Sequence, residues 1–328
     1  MPTPASTHRV VTIFGGAGFL GRYIVRDLAK RGWRVRVATR DPDKALFLKP
    51  MGSVGQIVPL PANIRDDDSV AAVVDGSDFV INLVGILAPS GKQTFSAVHA
   101  EAPGRIARIA AEAGVKRLIQ VSAIGASPDS PSDYARSKAA GEAAVLEGFP
   151  AATILRPSIV FGAEDGFFNR FANMTRFSPF LPLIGGGKTR FQPVYVGDVA
   201  DAVMACLDRD DSQGKIFELG GPRSYTFREL MELMLKVIGR RRILLPLPWS
   251  VARIMGSIFE RLPLKILTRD QVTQLQHDNV VSGALPTLAD LGVETTALEG
   301  ILPSYLDRYR IGGQFSRYRQ GTPPTRPA

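Results

Sequence analysis

The sequence predicts an α/β fold in which a doubly wound parallel sheet is followed by a smaller C-terminal α/β subdomain. Two observations point to this class. Apolar runs of four to six residues alternate with longer helical patterns through the first half of the chain, which is typical of βαβ units. A glycine-rich turn follows the first of these runs and leads into a helical pattern, as in Rossmann-type sheets.

The elements of the first half follow from these patterns in order. Six apolar runs are predicted strands, at residues 9–14, 34–38, 56–60, 79–83, 117–121 and 152–155. Four helical patterns lie between them, at residues 20–30, 68–74, 100–113 and 134–146. Strands that alternate with helices in this way predict a parallel sheet with crossover connections.

The 328 residues are enough for a large α/β domain with an appendage. We predict a dinucleotide-binding domain at residues 1–165, to which residues 192–214 return. Residues 166–191 and 215–312 are predicted to form the smaller subdomain, and 313–328 a basic, flexible tail. Thr226 and Glu229 have the spacing of a capping box, which predicts that a helix begins there and runs to residue 237.

The composition excludes several classes of protein. A single cysteine and three histidines exclude a disulfide framework and a His/Cys zinc site, so no metal is expected. The longest apolar stretch, residues 79–88, is far shorter than the ~20 residues that cross a bilayer. The few residues before the first strand predict no signal or transit peptide. Cys206 lies among Ala and Met residues and is predicted to be buried and unreactive.

The net charge of +9 indicates an anionic partner, which could be nucleic acid, anionic lipid or an acidic protein. The sequence contains no helix-turn-helix, RNA-binding aromatic motif or continuous basic helix, so nucleic acid is not expected. From Arg240 to the C terminus there are 12 Lys and Arg residues and 7 Asp and Glu residues. More than half of the excess charge therefore lies outside the predicted nucleotide domain.

The glycine-rich turn has the spacing that a pyrophosphate needs. Gly15 allows a tight turn, Gly18 lets the backbone approach the phosphates, and Gly21 lets the helix pack on the strand. The predicted cofactor-binding residues of this turn are Gly15, Gly16, Ala17, Gly18, Phe19, Leu20 and Gly21. A purely structural glycine turn is the alternative, and the position between a strand and a helix argues against it.

The end of the second strand favours NADP(H) over NAD(H). An NAD-binding site usually carries an acidic residue here, which binds both ribose hydroxyls. This chain has Thr39 followed by Arg40, and an uncharged residue beside an arginine suits a 2′-phosphate. The alternative is that Arg40 is a solvated loop charge.

Tyr134 and Lys138 lie four residues apart at the start of a predicted helix, so they share one face. An ammonium beside a phenol lowers the pKa of the phenol, which makes Tyr134 a candidate proton donor, and Lys138 could also hold a ribose hydroxyl. Together with the glycine-rich turn, this pair resembles the short-chain dehydrogenase/reductase family, in its extended and atypical branches.

Further segments carry this resemblance over nearly the whole chain. They are residues 63–66, 82–85, 155–162, 194–200 and 219–222, although Phe14 replaces a usual threonine and Asn63 a usual aspartate. The resemblance implies that the dinucleotide site also includes Asn63, Ile64, Val84, Gly85, Ser122, Pro157 and Ile159, with Tyr134 and Lys138 beside the nicotinamide.

One departure from the family concerns catalysis. By register the catalytic Ser or Thr of the family falls at Ile124, whose side chain cannot donate a hydrogen bond. Ser122 or Ser127 could substitute only with a shifted backbone. We therefore expect dinucleotide binding without independent turnover, because hydride transfer would lose a polarising contact worth about 10²–10³ in rate.

A narrower resemblance accounts for this departure. Residues 156–165, 168–174, 192–198, 245–248, 268–272 and 288–292 resemble the nucleotide-binding accessory subunits of respiratory complex I (NADH:ubiquinone oxidoreductase) in their alphaproteobacterial form. This resemblance implies NADPH held as a structural ligand, subunits of complex I as partners, and a peripheral position on the cytoplasmic side of the bacterial inner membrane. The alternative is an NADP-dependent reductase or epimerase that uses Tyr134 and Lys138.

The segment from Arg240 to Leu267 is the predicted docking region. Trp249, Ala252, Met255, Gly256 and Phe259 recur at three- and four-residue spacing and predict an apolar helix face, with Arg253 at its border. With the flanking basic residues and the basic tail, this segment suits an anionic lipid surface or an acidic subunit. The alternative is a helix that covers a substrate cleft.

Three titratable residues are given a minor role. His99 is interpreted as a solvent-facing or capping residue at the start of a helix, the alternative being a general base. Glu164 and Asp165 are interpreted as loop charges, the alternative being that they face the nicotinamide cleft.

Overall fold

The computed structural model describes residues 9–260 and 267–313, which divide into two compact units. The first unit comprises Met1–Arg156, Val199–Phe217 and Leu288–Val293, and the second comprises Pro157–Asp198, Glu218–Thr287 and Glu294–Ala328. The bounds of this division differ from the expected ones. The first segment of the first unit ends at Arg156 instead of residue 165, and its second segment is 199–217 instead of 192–214. The first unit also includes residues 288–293, which were expected in the smaller subdomain.

The strands, in chain order, are β1 (Val10–Phe14), β2 (Arg34–Thr39), β3 (Ile57–Pro61), β4 (Phe79–Asn82), β5 (Arg117–Val121), β6 (Thr153–Pro157), β7 (Val160–Phe161), β8 (Phe180–Ile184), β9 (Arg190–Phe191), β10 (Val194–Tyr195), β11 (Ile216–Leu219), β12 (Tyr225–Thr226) and β13 (Ile243–Leu247). The helices are α1 (Phe19–Lys30), α2 (Asp67–Val74), α3 (Ala102–Glu112), α4 (Asp133–Gly148), α5 (Phe168–Met174), α6 (Val196–Asp208), α7 (Phe227–Ile238), α8 (Trp249–Phe259), α9 (Arg269–Gln274) and α10 (Leu298–Leu306).

The predicted doubly wound sheet is confirmed. It has seven strands in the order β11-β6-β5-β4-β1-β2-β3. Within β6-β5-β4-β1-β2-β3, every neighbouring pair of strands is parallel. The strand order reverses at β1 and β4, which is where such sheets bind ligands beyond the carboxyl ends of their strands. All six predicted strands and all four predicted helices are present.

The sequence patterns reflect burial on both faces of this sheet. Strand β4 is buried at every residue, because helices cover parallel sheets on both sides. Helix α1 is instead amphipathic, and it buries Ile24, Val25 and Leu28 whereas Lys30 at its end is exposed. One helix begins differently from the prediction: a π-helical segment, Ser96–Glu101, precedes α3.

The second unit is built around aromatic side chains. Phe161, Phe168, Phe191 and Phe227 are buried in one cluster with aliphatic residues of α7 and α10. The predicted capping box is confirmed, since the Thr226 side chain accepts from the backbone N–H of Glu229 and the Glu229 carboxylate accepts from that of Thr226. The helix ends at Gly239, whose φ of 63° is left-handed.

Two buried side chains bear on the sequence interpretation. Cys206 is buried as predicted, and burial raises the pKa of its thiol to about 12. Asp165 is not a solvated loop charge, so that interpretation was wrong. Its carboxylate is buried and accepts hydrogen bonds from the backbone N–H groups of Phe167 and Asn169 and from the Tyr305 hydroxyl, although burial still raises its pKa.

Candidate functional site

The glycine-rich turn connects β1 to α1 and has the geometry of a phosphate loop. Gly15 has a φ of 80°, which favours glycine, and its carbonyl accepts from the backbone N–H of Gly18 at 3.0 Å. A Cβ on Gly21 would lie 2.5 Å from the Gly16 backbone, so only glycine allows α1 to approach the loop this closely. The first turn of α1 has no acidic residue and its N-cap, Gly18, makes no side-chain bond. The helix therefore presents its backbone N–H groups to an anion.

Thr39 and Arg40 lie at the carboxyl end of β2. Thr39 is half-buried and its hydroxyl lies 3.4 Å from the backbone of Asp41. The Asp41 carboxylate pairs with Lys44 at 2.9 Å, and this hydrogen bond lowers the pKa of Asp41. Arg40 is exposed and forms no ion pair or hydrogen bond with any residue that the structure describes. Its guanidinium is therefore available to a phosphate.

Asn63 and Ile64 follow β3 on the same edge of the sheet. The side-chain oxygen of Asn63 accepts from the backbone N–H of Arg65 at 3.2 Å, and its own N–H donates to the Ser69 hydroxyl at 2.9 Å. Ile64 packs against the core of the first unit. The local bonds fix this turn, so Asn63 is held in place beside the sheet edge.

The loop after β4 contains Val84 and Gly85. Its backbone is held by Asn82, whose side-chain oxygen accepts from the Val84 N–H at 3.1 Å while its amide donates to Gln120 at 2.9 Å. A Cβ on Gly85 would lie 3.3 Å from the Lys138 Nζ atom. The structure thus brings the β4 loop and the predicted lysine together.

Tyr134 and Lys138 lie on one face of α4, as the spacing predicts. Ser132 caps this helix by accepting from the Ala135 N–H at 3.3 Å. The Lys138 side chain is buried, with 7% of the residue exposed, and its Nζ atom lies 5.9 Å from the centre of the Tyr134 ring. Burial lowers the pKa of Lys138 to about 8, and the negative charge of Glu142 one turn along partly opposes this shift.

Glu142 in turn forms a bidentate ion pair with Arg156. The Arg156 Nε atom donates to Oε1 at 2.9 Å, and a terminal nitrogen donates to Oε2 at 2.5 Å. Both side chains are largely buried. The pair anchors the face of α4 that carries Lys138, because a buried ion pair of this geometry satisfies both partners.

His99 was missed by the sequence interpretation, which placed it in solvent or at a helix cap. It lies in the π-helical segment with only 2% of its surface exposed. Its Nε2 atom accepts from the Ile86 N–H at 2.9 Å, and its Nδ1 atom lies 3.0 Å from the Ser137 hydroxyl. A sequence signal existed, because Ala102 lies three residues after His99 and Ile106 lies four residues after Ala102. Both residues are buried, and this helical spacing indicates that His99 lies on the same buried face.

The position expected for the catalytic hydroxyl is Ile124, which is buried. Ser127, one possible substitute, accepts from the Asp129 N–H at 3.3 Å in a local turn. The other is Ser122, just beyond β5, which is 5% exposed and whose Oγ atom has no hydrogen-bond partner among the described residues. An unsatisfied buried hydroxyl at this end of the sheet fits a polar ligand, since buried polar groups are normally bonded.

Pro157 and Ile159, the remaining predicted residues, belong to the second unit. The intervening Ser158 donates to the side-chain oxygen of Asn279 at 2.6 Å, and the same oxygen accepts from the Ile159 N–H at 3.2 Å. Asn279 could not be predicted as their partner, because more than a hundred residues separate it from this segment.

The carboxyl ends of β1 to β5 therefore carry the predicted residues of the first unit, in the arrangement that binds a dinucleotide in doubly wound sheets. Within residues 9–260 and 267–313, no three His, Cys, Asp or Glu side chains are grouped as a metal ion would require. None of the helices in those ranges is both long and apolar enough to span a membrane.

A second candidate site is a surface of the second unit around β8, β13 and α8. The helix buries Ala252 and Gly256, so the apolar face predicted from these residues points inward. Its exposed apolar residues lie on the other side, with Ile254 63% exposed. The exposed apolar side chains of this region, called here the apolar surface, are Phe180, Ile243, Leu245, Val251, Ile254 and Ile258.

Basic residues accompany the apolar surface. Arg241 and Arg253 are exposed, and their side chains form no ion pair within the described part of the chain. Arg242 donates to the Thr175 carbonyl, and Arg240 to the Tyr309 carbonyl. The predicted docking residues from 261 to 266, and the tail from residue 314, lie outside the described residues. Because exposed apolar residues and exposed arginines occur together in these elements, this region is a candidate docking surface.

Comparison with known proteins gives the family. The model of the NAD dependent epimerase/dehydratase family matches residues 11–220. The chain is 41% identical to NADH dehydrogenase [ubiquinone] 1 alpha subcomplex subunit 9, mitochondrial, of Arabidopsis thaliana, over 93% of this chain and 79% of that protein. It is 38% identical to the protein of the same name from Mus musculus, over 97% and 85% respectively.

A solved structure supports the fold. The NADPH complex of the NADPH-dependent quinone oxidoreductase QOR2 from Escherichia coli aligns with a TM-score of 0.70, covering 89% of this chain and 98% of that one at 21% identity. The family match covers most of the chain, and the relatives match it nearly from end to end. The chain therefore belongs to the NAD dependent epimerase/dehydratase family and, within it, to the family of the NADH dehydrogenase [ubiquinone] 1 alpha subcomplex subunit 9.

Proposed function

We propose that this chain is an NADP(H)-binding accessory or assembly subunit of membrane-bound respiratory complex I, which holds the dinucleotide as a structural ligand without turnover. The observation that carries the proposal is the contrast within one site. The phosphate loop and the buried Lys138 are in place, whereas Ile124 occupies the position of the catalytic hydroxyl. The family membership of the chain supports the same role.

The geometry supports a proposal for the residues that would hold the dinucleotide. The loop from Gly15 to Gly21 would hold the pyrophosphate at the start of α1. Arg40, which is free of acidic partners, would hold the 2′-phosphate, and this is why we propose NADPH over NADH. Lys138 would donate to ribose hydroxyls, and Ser122 would gain the partner that its hydroxyl lacks. NADPH, when bound, supplies a hydride donor.

The absence of turnover is proposed from the site's own residues. A carbonyl substrate needs a hydrogen-bond donor beside Tyr134, and Ile124 cannot provide one. Ser122 lies two residues earlier, and its hydroxyl is buried. The alternative, an NADP-dependent reductase or epimerase that uses Tyr134 and Lys138, requires another donor to replace the lost hydroxyl.

The partners are proposed from the relatives and from the second unit. The relatives from Arabidopsis thaliana and Mus musculus are named as subunits of NADH dehydrogenase [ubiquinone]. The apolar surface, with Arg241 and Arg253 beside it, would attach the chain to subunits of complex I, on the cytoplasmic side of a bacterial inner membrane. Anionic lipid is the other surface that these charges fit.

The test uses the full chain in its host. Membranes washed in moderate salt should release the chain together with quinone-reductase activity and other complex I subunits, and a chain found only as a free protein would contradict the proposal. Tyr134→Phe should leave complex assembly and bound NADPH unchanged, because neither depends on the phenol. If Tyr134→Phe abolished an NADPH-dependent activity of the chain while complex assembly stayed intact, the alternative of a reductase or epimerase would be favoured.

A further inference from the structure

A chain of hydrogen bonds through His99 links two parts of the candidate site. The Ile86 N–H donates to His99 Nε2 at 2.9 Å, His99 Nδ1 lies 3.0 Å from the Ser137 Oγ atom, and Ser137 Oγ donates to the Tyr134 carbonyl at 2.7 Å. One end of the chain is the loop after β4, and the other is the first turn of α4. Neither end lies in the π-helical segment that carries the imidazole.

The donors and acceptors fix the state of the imidazole. A backbone N–H can only donate, so Nε2 carries no proton. Nδ1 then carries the hydrogen and donates to Ser137 Oγ, whose own hydrogen is used by the Tyr134 carbonyl. His99 is therefore neutral, and burial together with the nearby Lys138 ammonium lowers its pKa to about 3.

Two aromatic rings and a helix pack around His99. Phe95 stacks on the imidazole with ring centres 5.3 Å apart, and Tyr134 meets it edge-on at the same distance. On the α4 side, a Cβ on Gly141 would lie 1.8 Å from the His99 carbonyl oxygen, so only glycine lets the π-helical segment lie against α4. Such π-helical insertions commonly occur at functional sites.

The imidazole also lies beside Gly85, which in turn lies beside Lys138, and both residues are proposed to contact the ligand. A Cβ on Gly85 would lie 3.3 Å from the Lys138 Nζ atom and 3.6 Å from His99 Nε2. The Gly85 backbone is thus flanked by an ammonium and a neutral imidazole. A neutral hydrogen-bond acceptor at this position holds the loop without adding a second cation beside Lys138.

We propose that His99 is a positioning residue for the nicotinamide half of the dinucleotide: it ties the Gly85–Ile86 loop to the turn of α4 that carries Tyr134 and Lys138. The inference rests on the proposed function, because it assigns a task within the same site. His99 acts through these neighbours and is not itself assigned a contact with the ligand.

The test compares two ligands on the purified full chain. NADPH needs both halves of the site, whereas adenosine 2′,5′-bisphosphate needs only the phosphate loop and Arg40. His99→Phe keeps the aromatic packing and removes both hydrogen bonds, so it should weaken NADPH binding about 25-fold, at roughly fivefold per bond, while the bisphosphate binds within twofold of wild type.

Two conservative variants separate the bonds. His99→Gln places an amide oxygen near the former Nε2 position and retains the Ile86 bond, whereas His99→Asn reaches only Ser137. Each should recover part of the NADPH affinity, to about fivefold below wild type. The inference would be overturned if His99→Phe bound NADPH with unchanged affinity, or if its affinities for NADPH and for the bisphosphate fell by the same factor. Wild-type chain that binds neither ligand would instead overturn the proposed function.

A ligand-free measurement gives an independent readout. The ¹⁵N spectrum of the His99 imidazole in the unliganded chain should show a protonated Nδ1 and an unprotonated Nε2. This protonation state should not change between pH 8 and pH 5. An imidazolium in that range, or the opposite tautomer, would contradict the assignment whatever the affinities are.

Discussion

Lys138 is predicted to stabilise the bound dinucleotide at the expense of the unliganded fold. Its pKa is lowered from 10.5 to about 8 by burial, and each unit of pKa is worth about 1.4 kcal/mol. The buried ammonium therefore destabilises the unliganded fold by about 3 kcal/mol at neutral pH. Lys138→Met removes the charge and keeps an unbranched chain, and Glu142 keeps its partner Arg156.

At pH 7 we expect unliganded Lys138→Met to unfold at a higher urea concentration than wild type. Its free energy of unfolding should be higher by up to about 3 kcal/mol. The sign can be checked by pH. Between about pH 8 and 10.5 the unfolded wild-type chain binds more protons at Lys138 than the folded chain, so wild-type stability should rise with pH in this window. Lys138→Met should lack that rise, and NADPH should stabilise it far less than wild type.

The assay must report on the first unit alone. The chain has two tryptophans, Trp33 in the first unit and Trp249 in the second, so a Trp249→Phe background leaves Trp33 as the probe. Lys92→Met, at an exposed lysine, is the matched control and should change stability by less than about 0.5 kcal/mol. If Lys138→Met is destabilised at pH 7 with the control unchanged, the burial argument is wrong.

Three further predictions concern the dinucleotide. Arg40→Ala should weaken NADPH about tenfold in a titration and leave NADH unchanged, because only NADPH has a 2′-phosphate; equal effects would refute NADP selectivity. NADPH affinity should be constant from pH 7 to 8 and fall above pH 8 by up to about tenfold per pH unit, since Lys138 loses its proton there, and Lys138→Met should show no such fall. Gly21→Ala should destabilise the first unit by about 1–3 kcal/mol in urea, because its Cβ would lie 2.5 Å from Gly16, whereas Gly300→Ala, which meets open space, should not.

The sheet was predictable because its signals are local. A strand buried on both faces is an apolar run, and an amphipathic helix has its own period, so both can be read within a few residues. The signal for the capping box at Thr226 is equally local, and the structure contains the capping box as predicted. The direction of α8 was not predictable, because both sides of this helix are apolar and only packing against α9 decides which side is buried.

The same distinction applies to the candidate site. The glycine loop and the pair Tyr134 and Lys138 have fixed spacing, so the sequence shows them together. His99 depends on the Ile86 N–H and on Ser137, 13 and 38 residues away, and Asp165 depends on Tyr305, 140 residues away. Contacts of this range leave no local pattern that identifies the partners. The helical spacing of His99 with Ala102 and Ile106 indicates burial, but it does not show the bonds to Ile86 and Ser137 that satisfy the imidazole.

We propose above that the chain carries NADPH as a resident ligand within complex I. The most direct measurement is to purify the complex from membranes through a tag on this chain and to quantify the released nucleotide before and after turnover with NADH and quinone. We expect one NADPH per chain, together with complex I subunits, and no change in the amount or redox state of the NADPH after turnover. Absence of nucleotide, oxidation of the NADPH during turnover, or recovery of the chain without complex I subunits would contradict it.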